Sequence, residues 1–157
     1  MLNLYKLIEI LVSLQSLVIT TMLPVYIPLQ FINKSINTFE IPITWQIPTI
    51  ILLTLIFQKE VVLKAFFIYI FLGLFIVPVF HQGGSIGYLL TPNFGYLLGL
   101  YPLIKIIDNL NTRNKINVGN FLKNGIIAIG AMHITGILYN FIQIIFYSQF
   151  NLFLYNL

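Results

Sequence analysis

"PVFHQGGSIGYLLTPNFGYLLG", Pro78 to Gly99, separates two long apolar runs with a glycine-rich turn that carries His81, Gln82, Ser85 and Asn93. Hydrocarbon offers no water to open backbone, so irregular chain survives at membrane depth only against protein or a wet cavity. The turn therefore marks the end of a span or the wall of a site. Its local signals agree with a re-entrant turn followed by a helix. Gly83, Gly84 and Gly87 permit backbone conformations that other residues resist. Thr91 is placed as an N-cap with Pro92 at the first helical position. Gly95 and Gly99 form a G-x-x-x-G pair on one helix face, whose first reading is close packing against another helix.

Composition says what surrounds the turn. Of 157 residues, 59% are hydrophobic and 8% charged, whereas a soluble domain carries roughly a quarter charged residues. Mean hydropathy is +0.95. These values require an integral membrane protein. There is no cysteine, hence no disulfide framework, thiolate nucleophile or cysteine metal site. The eight basic residues are scattered and make no basic face for nucleic acid.

A helix crossing ~30 Å of hydrocarbon needs roughly 20 mainly apolar residues. Five segments meet that need: Leu4 to Phe31, Ile41 to Phe57, Val61 to Phe80, Gly87 to Ile107 and Phe121 to Phe146. The expected fold is an all-α, polytopic integral membrane helical bundle, one domain over residues 1–157. The first run continues through Pro24 and Pro28 and lacks a small-residue cleavage site, so it reads as a span and not as a signal peptide. With a cytoplasmic N-terminus, Lys6, Lys59, Lys64, Lys105, Arg113, Lys115 and Lys123 fall inside and only Lys34 outside, as the positive-inside bias requires. The glycine turn is then external. The tail "YSQFNLFLYNL" is too short to cross again.

Three features bear on chemistry. "GGSIG", Gly83 to Gly87, matches the nucleophile elbow G-x-S-x-G, and Ser85, Asp108 and His133 follow the hydrolase order. That elbow needs a strand-to-helix turn, however, and about 30 Å of bilayer separates the expected positions of Ser85 and Asp108. His133, mid-span, is costly in lipid; as a neutral ring it is expected to bond Thr135, Asn140 or a neighbouring helix. "IPITWQIPT" sets Thr44, Trp45 and Gln46 near the external surface, where a buried Gln46 amide costs several kcal/mol unless partnered. There is no G-x-x-x-x-G-K-[ST] phosphate loop, and neither histidine has companions at metal-ligand spacing. No catalytic group, cofactor or metal is expected.

"IPITWQIPTIILLTLI", "IYIFLGLFIVPVFHQGG" and "TPNFGYLLGLYPL", in that order, resemble the BioY biotin transporter family, the substrate-capture S components of energy-coupling factor transporters. The family elements appear as Pro42-Ile43-Thr44-Trp45-Gln46, as Tyr69, Gly73 and Pro78-Val79-Phe80, and as Thr91 to Gly99. Thr91 and Asn93 replace the family's Gly and Thr around Pro92. The family has six spans, the last with a ligand-binding P-G-[DQ]-type segment, so this sequence is expected to stop short of that helix. Its first span lacks the A-x-x-x-A pattern through which S components meet the coupling subunit; Ser16 and Thr20 are the nearest small pair.

The resemblance implies biotin capture at a bacterial plasma membrane, powered by a separate transmembrane coupling subunit and paired ATPases. It assigns Thr44, Gln46, Asn93 and Tyr96 to hydrogen bonds with the ureido ring or carboxylate. Trp45 and Phe80 are assigned to pack on the rings and chain, and Gly83 and Gly84 to bring backbone close to the ligand. The basic connection from Lys105 to Lys123 is expected to meet anionic lipid or those partners. Competing readings are an S component for thiamin or riboflavin, an intramembrane enzyme using Ser85 or His133, and a non-transporting membrane subunit.

Overall fold

The computed structural model describes residues 3–32, 35–81, 83–113 and 118–155, and side chains outside 27–43, 110–118 and 148–155. Lys34 and Lys115 of the charge pattern lie outside the described residues. The chain divides into two compact units, residues 1–85 and 86–157.

The first unit opens with helix α1, Leu4–Thr21. This corrects the expected span to Phe31. Pro24 denies helical geometry to the residue before it and supplies no N–H, so the helix closes with Met22 N–H on the Ile19 carbonyl at 3.1 Å. The chain then forms an antiparallel hairpin, β1 (Pro24–Ile32) with β2 (Ser35–Thr44). Its register slips between Pro24 and Val25, opposite Pro42, and again between Pro28 and Gln30. Proline has no donor for the ladder and is tolerated at bulges.

Helix α2 is Gln46–Ile56, shorter than the expected span from Ile41, because Ile41 to Thr44 belong to β2. Pro48 is accepted in its first turn, where backbone donors have no partner within the helix. Helix α3 is Lys59–Phe75 and stops short of the expected Phe80, since Pro78 again excludes helix at the residue before it.

α1 buries Ile10, Ser13, Leu17 and Thr21 at helical spacing. α3 answers with Val61, Val62, Ala65, Phe66, Tyr69 and Gly73, and Ile10, Val61 and Ala65 form one cluster edged by Leu14 and Phe57. Small residues let membrane helices approach closely, where packing and not water exclusion drives association. The buried hydroxyls stay bonded by donating to carbonyls one turn back: Ser13 to Glu9 at 2.8 Å, Thr21 to Leu17 at 2.6 Å, Thr54 to Ile50 at 2.7 Å.

The second unit holds a 3-10 turn, Ile86–Leu90, then α4, Pro92–Arg113, and α5, Val118–Tyr155. Pro92 does open α4, as the sequence indicates. The Thr91 hydroxyl, however, donates backward to the Tyr88 carbonyl at 2.8 Å, tying the 3-10 turn to the helix start. α4 and α5 pack along their length through glycine. A Cβ on Gly95 would lie 2.6 Å from Tyr139 Cβ, one on Gly99 would lie 2.5 Å from the Met132 carbonyl oxygen, and one on Gly136 would lie 2.6 Å from Tyr96 Cδ1. The G-x-x-x-G pair is therefore a packing face.

Candidate functional site

The residues assigned from sequence fall into three groups. The first is the glycine turn, which hangs on the end of α3. Tyr69 and Gly73 lie one helical turn apart on the face that receives Phe80. The Phe80 ring fills the notch over Gly73, where an added Cβ would be 2.2 Å from Cζ. It meets Tyr69 edge-on at 5.2 Å and 74°, an arrangement worth about 0.5–1.5 kcal/mol beyond burial. Phe80 is 3% exposed, so its ring belongs to the unit's core.

The turn then closes by reciprocal backbone bonds. Phe80 N–H donates to the Gly83 carbonyl at 2.9 Å, and Gly83 N–H to the Phe80 carbonyl at 3.1 Å. Gly83 has φ +139°, a conformation that disfavours a side chain. Gly84 presses on the chain itself: a Cβ there would lie 2.5 Å from Pro78 Cα and 2.8 Å from the Gly73 carbonyl oxygen. That same carbonyl accepts the Ser85 N–H at 2.8 Å.

A hydroxyl pair that the sequence reading did not single out fastens this turn to α1. The Thr21 proton goes to Leu17, so the contact between Thr21 and Tyr69, 3.0 Å, takes its proton from the Tyr69 phenol. The Val79 carbonyl lies 3.4 Å from the same phenol. Both side chains are buried. The motif Tyr69, Gly73, Pro78-Val79-Phe80 is thus a folding device that fixes the glycine turn.

The second group is the junction of β2 and α2. Thr44 pairs with Pro24, and Trp45 N–H donates to the Leu23 carbonyl at 3.2 Å. Trp45 is 50% exposed, while Gln46 is half-buried. Gln46 Nε2 is enclosed and has no acceptor. An enclosed amide N–H without a partner costs about 1–3 kcal/mol.

The third group belongs to the second unit. Asn93 is exposed and its side chain hydrogen-bonds Tyr88. Tyr96, three residues on, is half-buried, with its ring against Gly136 and edge-on to His133 at 5.8 Å. His133 Nδ1 lies 2.9 Å from the Ile129 carbonyl. A carbonyl only accepts, so Nδ1 carries the proton. The expected partners Thr135 and Asn140 are corrected by this contact: Thr135 donates to Ala131, and Asn140 Oδ1 is enclosed without a donor. In a hydrolytic triad that Nδ1–H faces a carboxylate; here a backbone carbonyl takes its place. Tyr139 and Gln143, also outside the sequence assignment, both donate to the Leu89 carbonyl, Gln143 at 2.9 Å. Their signal was the polar spacing in "YNFIQ", 139–143, within an apolar helix. Among the described residues no three acidic or histidine side chains gather for a metal.

The profile of the BioY family matches residues 4–154. The chain belongs to the BioY family. A 59-residue stretch is 41% identical to a protein described as "Probable biotin transporter BioY" from Lysinibacillus sphaericus, covering 38% of this chain and 30% of that relative. The aligned region thus spans less than a third of the curated relative's length. No solved structure matches. As a BioY-family protein the chain is a helical membrane protein. Leu4–Thr21 and Gly119–Tyr147 are long and apolar enough to cross a membrane, while Gln46–Ile56 is apolar but shorter.

Proposed function

We propose that this BioY-family chain is one S-component-like membrane domain that captures biotin from the external side of a bacterial plasma membrane. Its N-terminus is cytoplasmic, and uptake is driven by ATP through a separate coupling subunit and ATPases. The chain itself acts by binding and not by catalysis. The family match supports the reading, and the observation that carries it is the enclosed, unpartnered Nε2 of Gln46. Biotin offers that donor either its ureido oxygen or its carboxylate, and charge-assisted hydrogen bonds are the stronger kind.

Thr44, Asn93 and Tyr96 are the further polar contacts of the proposal. Trp45 supplies an aromatic surface and Gly83 and Gly84 the close backbone, while Phe80, assigned from sequence to pack on the ligand, is buried in its own unit and enters the proposal by fixing that turn. Reorientation needs ligand to bind one state better than the other, and the partner subunits supply the energy.

The test is equilibrium binding of labelled biotin to the purified chain in lipid nanodiscs, with emission of Trp45, the chain's one tryptophan, as a second readout. Saturable binding that excess biotin displaces, and thiamin and riboflavin do not, is expected. Gln46→Ala lowers affinity about 10-fold, the loss of one hydrogen bond of about 1.4 kcal/mol. Absence of saturable biotin binding, or displacement by either other vitamin, overturns the reading.

A further inference from the structure

In the 3-10 turn Ile86–Leu90, each carbonyl looks three residues on for its donor. Tyr88 finds one, since its carbonyl accepts the Thr91 N–H at 3.0 Å. Leu89 does not, because three residues on is Pro92, which has no N–H. Helix α5 meets the need: the Leu89 carbonyl takes the Tyr139 hydroxyl and the Gln143 amide, the latter at 2.9 Å. A carbonyl oxygen has two lone pairs, so both are engaged. Residues four apart share a helix face, and Tyr139 and Gln143 therefore grip one atom of the turn from successive turns of α5.

The same face of α5 reaches on to the start of α4. The Tyr139 ring lies 5.7 Å from that of Phe94, and Phe94 meets Tyr88 edge-on at 6.4 Å and 82°. Tyr88 and Phe94 are buried. Backbone ties close the circuit, since the Tyr88 carbonyl also accepts the Thr91 hydroxyl and the Thr91 carbonyl accepts the Phe94 N–H at 3.2 Å. Asn93 stands at its edge, exposed, with its side chain bonded to Tyr88. An amide has a donor end and an acceptor end. A bond to a buried tyrosine holds one of them and leaves the other to the outside.

We propose that Gln143 and Tyr139 are positioning residues for ligand capture, which act through the Leu89 carbonyl and Tyr88 to fix the direction of the Asn93 amide. The proposal rests on the biotin reading above, in which Asn93 is a polar contact. Neither α5 residue touches the ligand. Their contribution is preorganisation: an amide already aimed has less freedom to lose when biotin binds.

The experiment is a double-mutant cycle on biotin affinity in nanodiscs, with Gln143→Leu, Asn93→Ala and the two combined. Gln143→Leu leaves the Tyr139 bond on Leu89, so affinity falls about 5-fold, the worth of one side chain held in advance, and the ligand-free thermal midpoint moves little. Asn93→Ala lowers affinity about 10-fold. The combined variant then binds like Asn93→Ala alone, because no amide is left to aim. Tyr139→Phe, which keeps the ring beside Phe94, gives the same pattern. Losses that multiply to about 50-fold overturn the proposal, since a general packing role acts whether or not Asn93 is present. Affinity unchanged in both Gln143→Leu and Tyr139→Phe also overturns it. If Asn93→Ala binds biotin as wild type does, the proposal falls while the biotin reading stands; if wild type shows no saturable biotin binding, both fall.

Discussion

Gly84 in the first unit and Gly95 in the second both lie too close to a neighbour to carry a side chain, yet what they touch differs in kind. Gly84 meets Pro78 Cα and the Gly73 carbonyl, backbone against backbone, inside a turn already closed by bonds at Phe80, Gly83 and Ser85. Gly95 meets the Tyr139 side chain, and Gly136 meets that of Tyr96. A ring can change rotamer, and two helices can move apart where a Cβ is in the way. A closed turn has neither escape. The contrast teaches that the glycine turn is built to hold one backbone shape, whereas the helix pair holds a spacing that can relax.

The largest expected effect tests the rigid side. Gly84→Ala should cost about 3 kcal/mol, the upper end for overpacking, and should abolish biotin binding; thermal unfolding beside a binding titration reads both. A variant as stable as wild type would erase the distinction. Next comes Gly99→Ala, where the new methyl meets the Met132 carbonyl but α4 and α5 can shift apart. About 2 kcal/mol is expected, with biotin binding weakened less than by Gly84→Ala. Tyr69→Phe keeps the edge-on ring contact with Phe80 and removes only the phenol that joins Thr21, so about 1 kcal/mol is expected, seen as faster hydrogen exchange in residues 79–85 with α5 unchanged. Smallest is Gly130→Ala. Nothing lies within 4 Å of its added Cβ, and better helix propensity should stabilise by about 0.5–1 kcal/mol, a shift in the sense opposite to the other three.

Much of the second unit was legible in the sequence, because its determinants are local. Pro92 opens α4, and the spacing of Gly95 and Gly99 announces a packing face; both follow from residues within one turn of each other. The end of α1 was not legible, since apolarity runs on through Ile32 and only pairing with Ser35 to Thr44 turns that run into a strand. Pro24 was the available signal. Gln46 stood out as a costly amide, and the structure leaves its Nε2 without an acceptor. Asn140 drew attention only as a partner for His133. Its state depends on where Tyr139, Gln143 and His133 send their protons, and no sequence pattern records that. The motif of Tyr69, Gly73 and Pro78-Val79-Phe80 was visible as a pattern, while its cause, a phenylalanine seated in a glycine notch, arises only when the chain folds back on α3.

Helix α5 has 38 residues, a rod about 57 Å long at 1.5 Å per residue. A straight helix tilted by 40°, the upper end of the usual range, threads about 39 Å of its length through a hydrocarbon slab 30 Å thick. About a dozen of its residues must therefore project into headgroups or water, so this one helix can report, through depth-sensitive labels along it, where the membrane begins and ends on the protein.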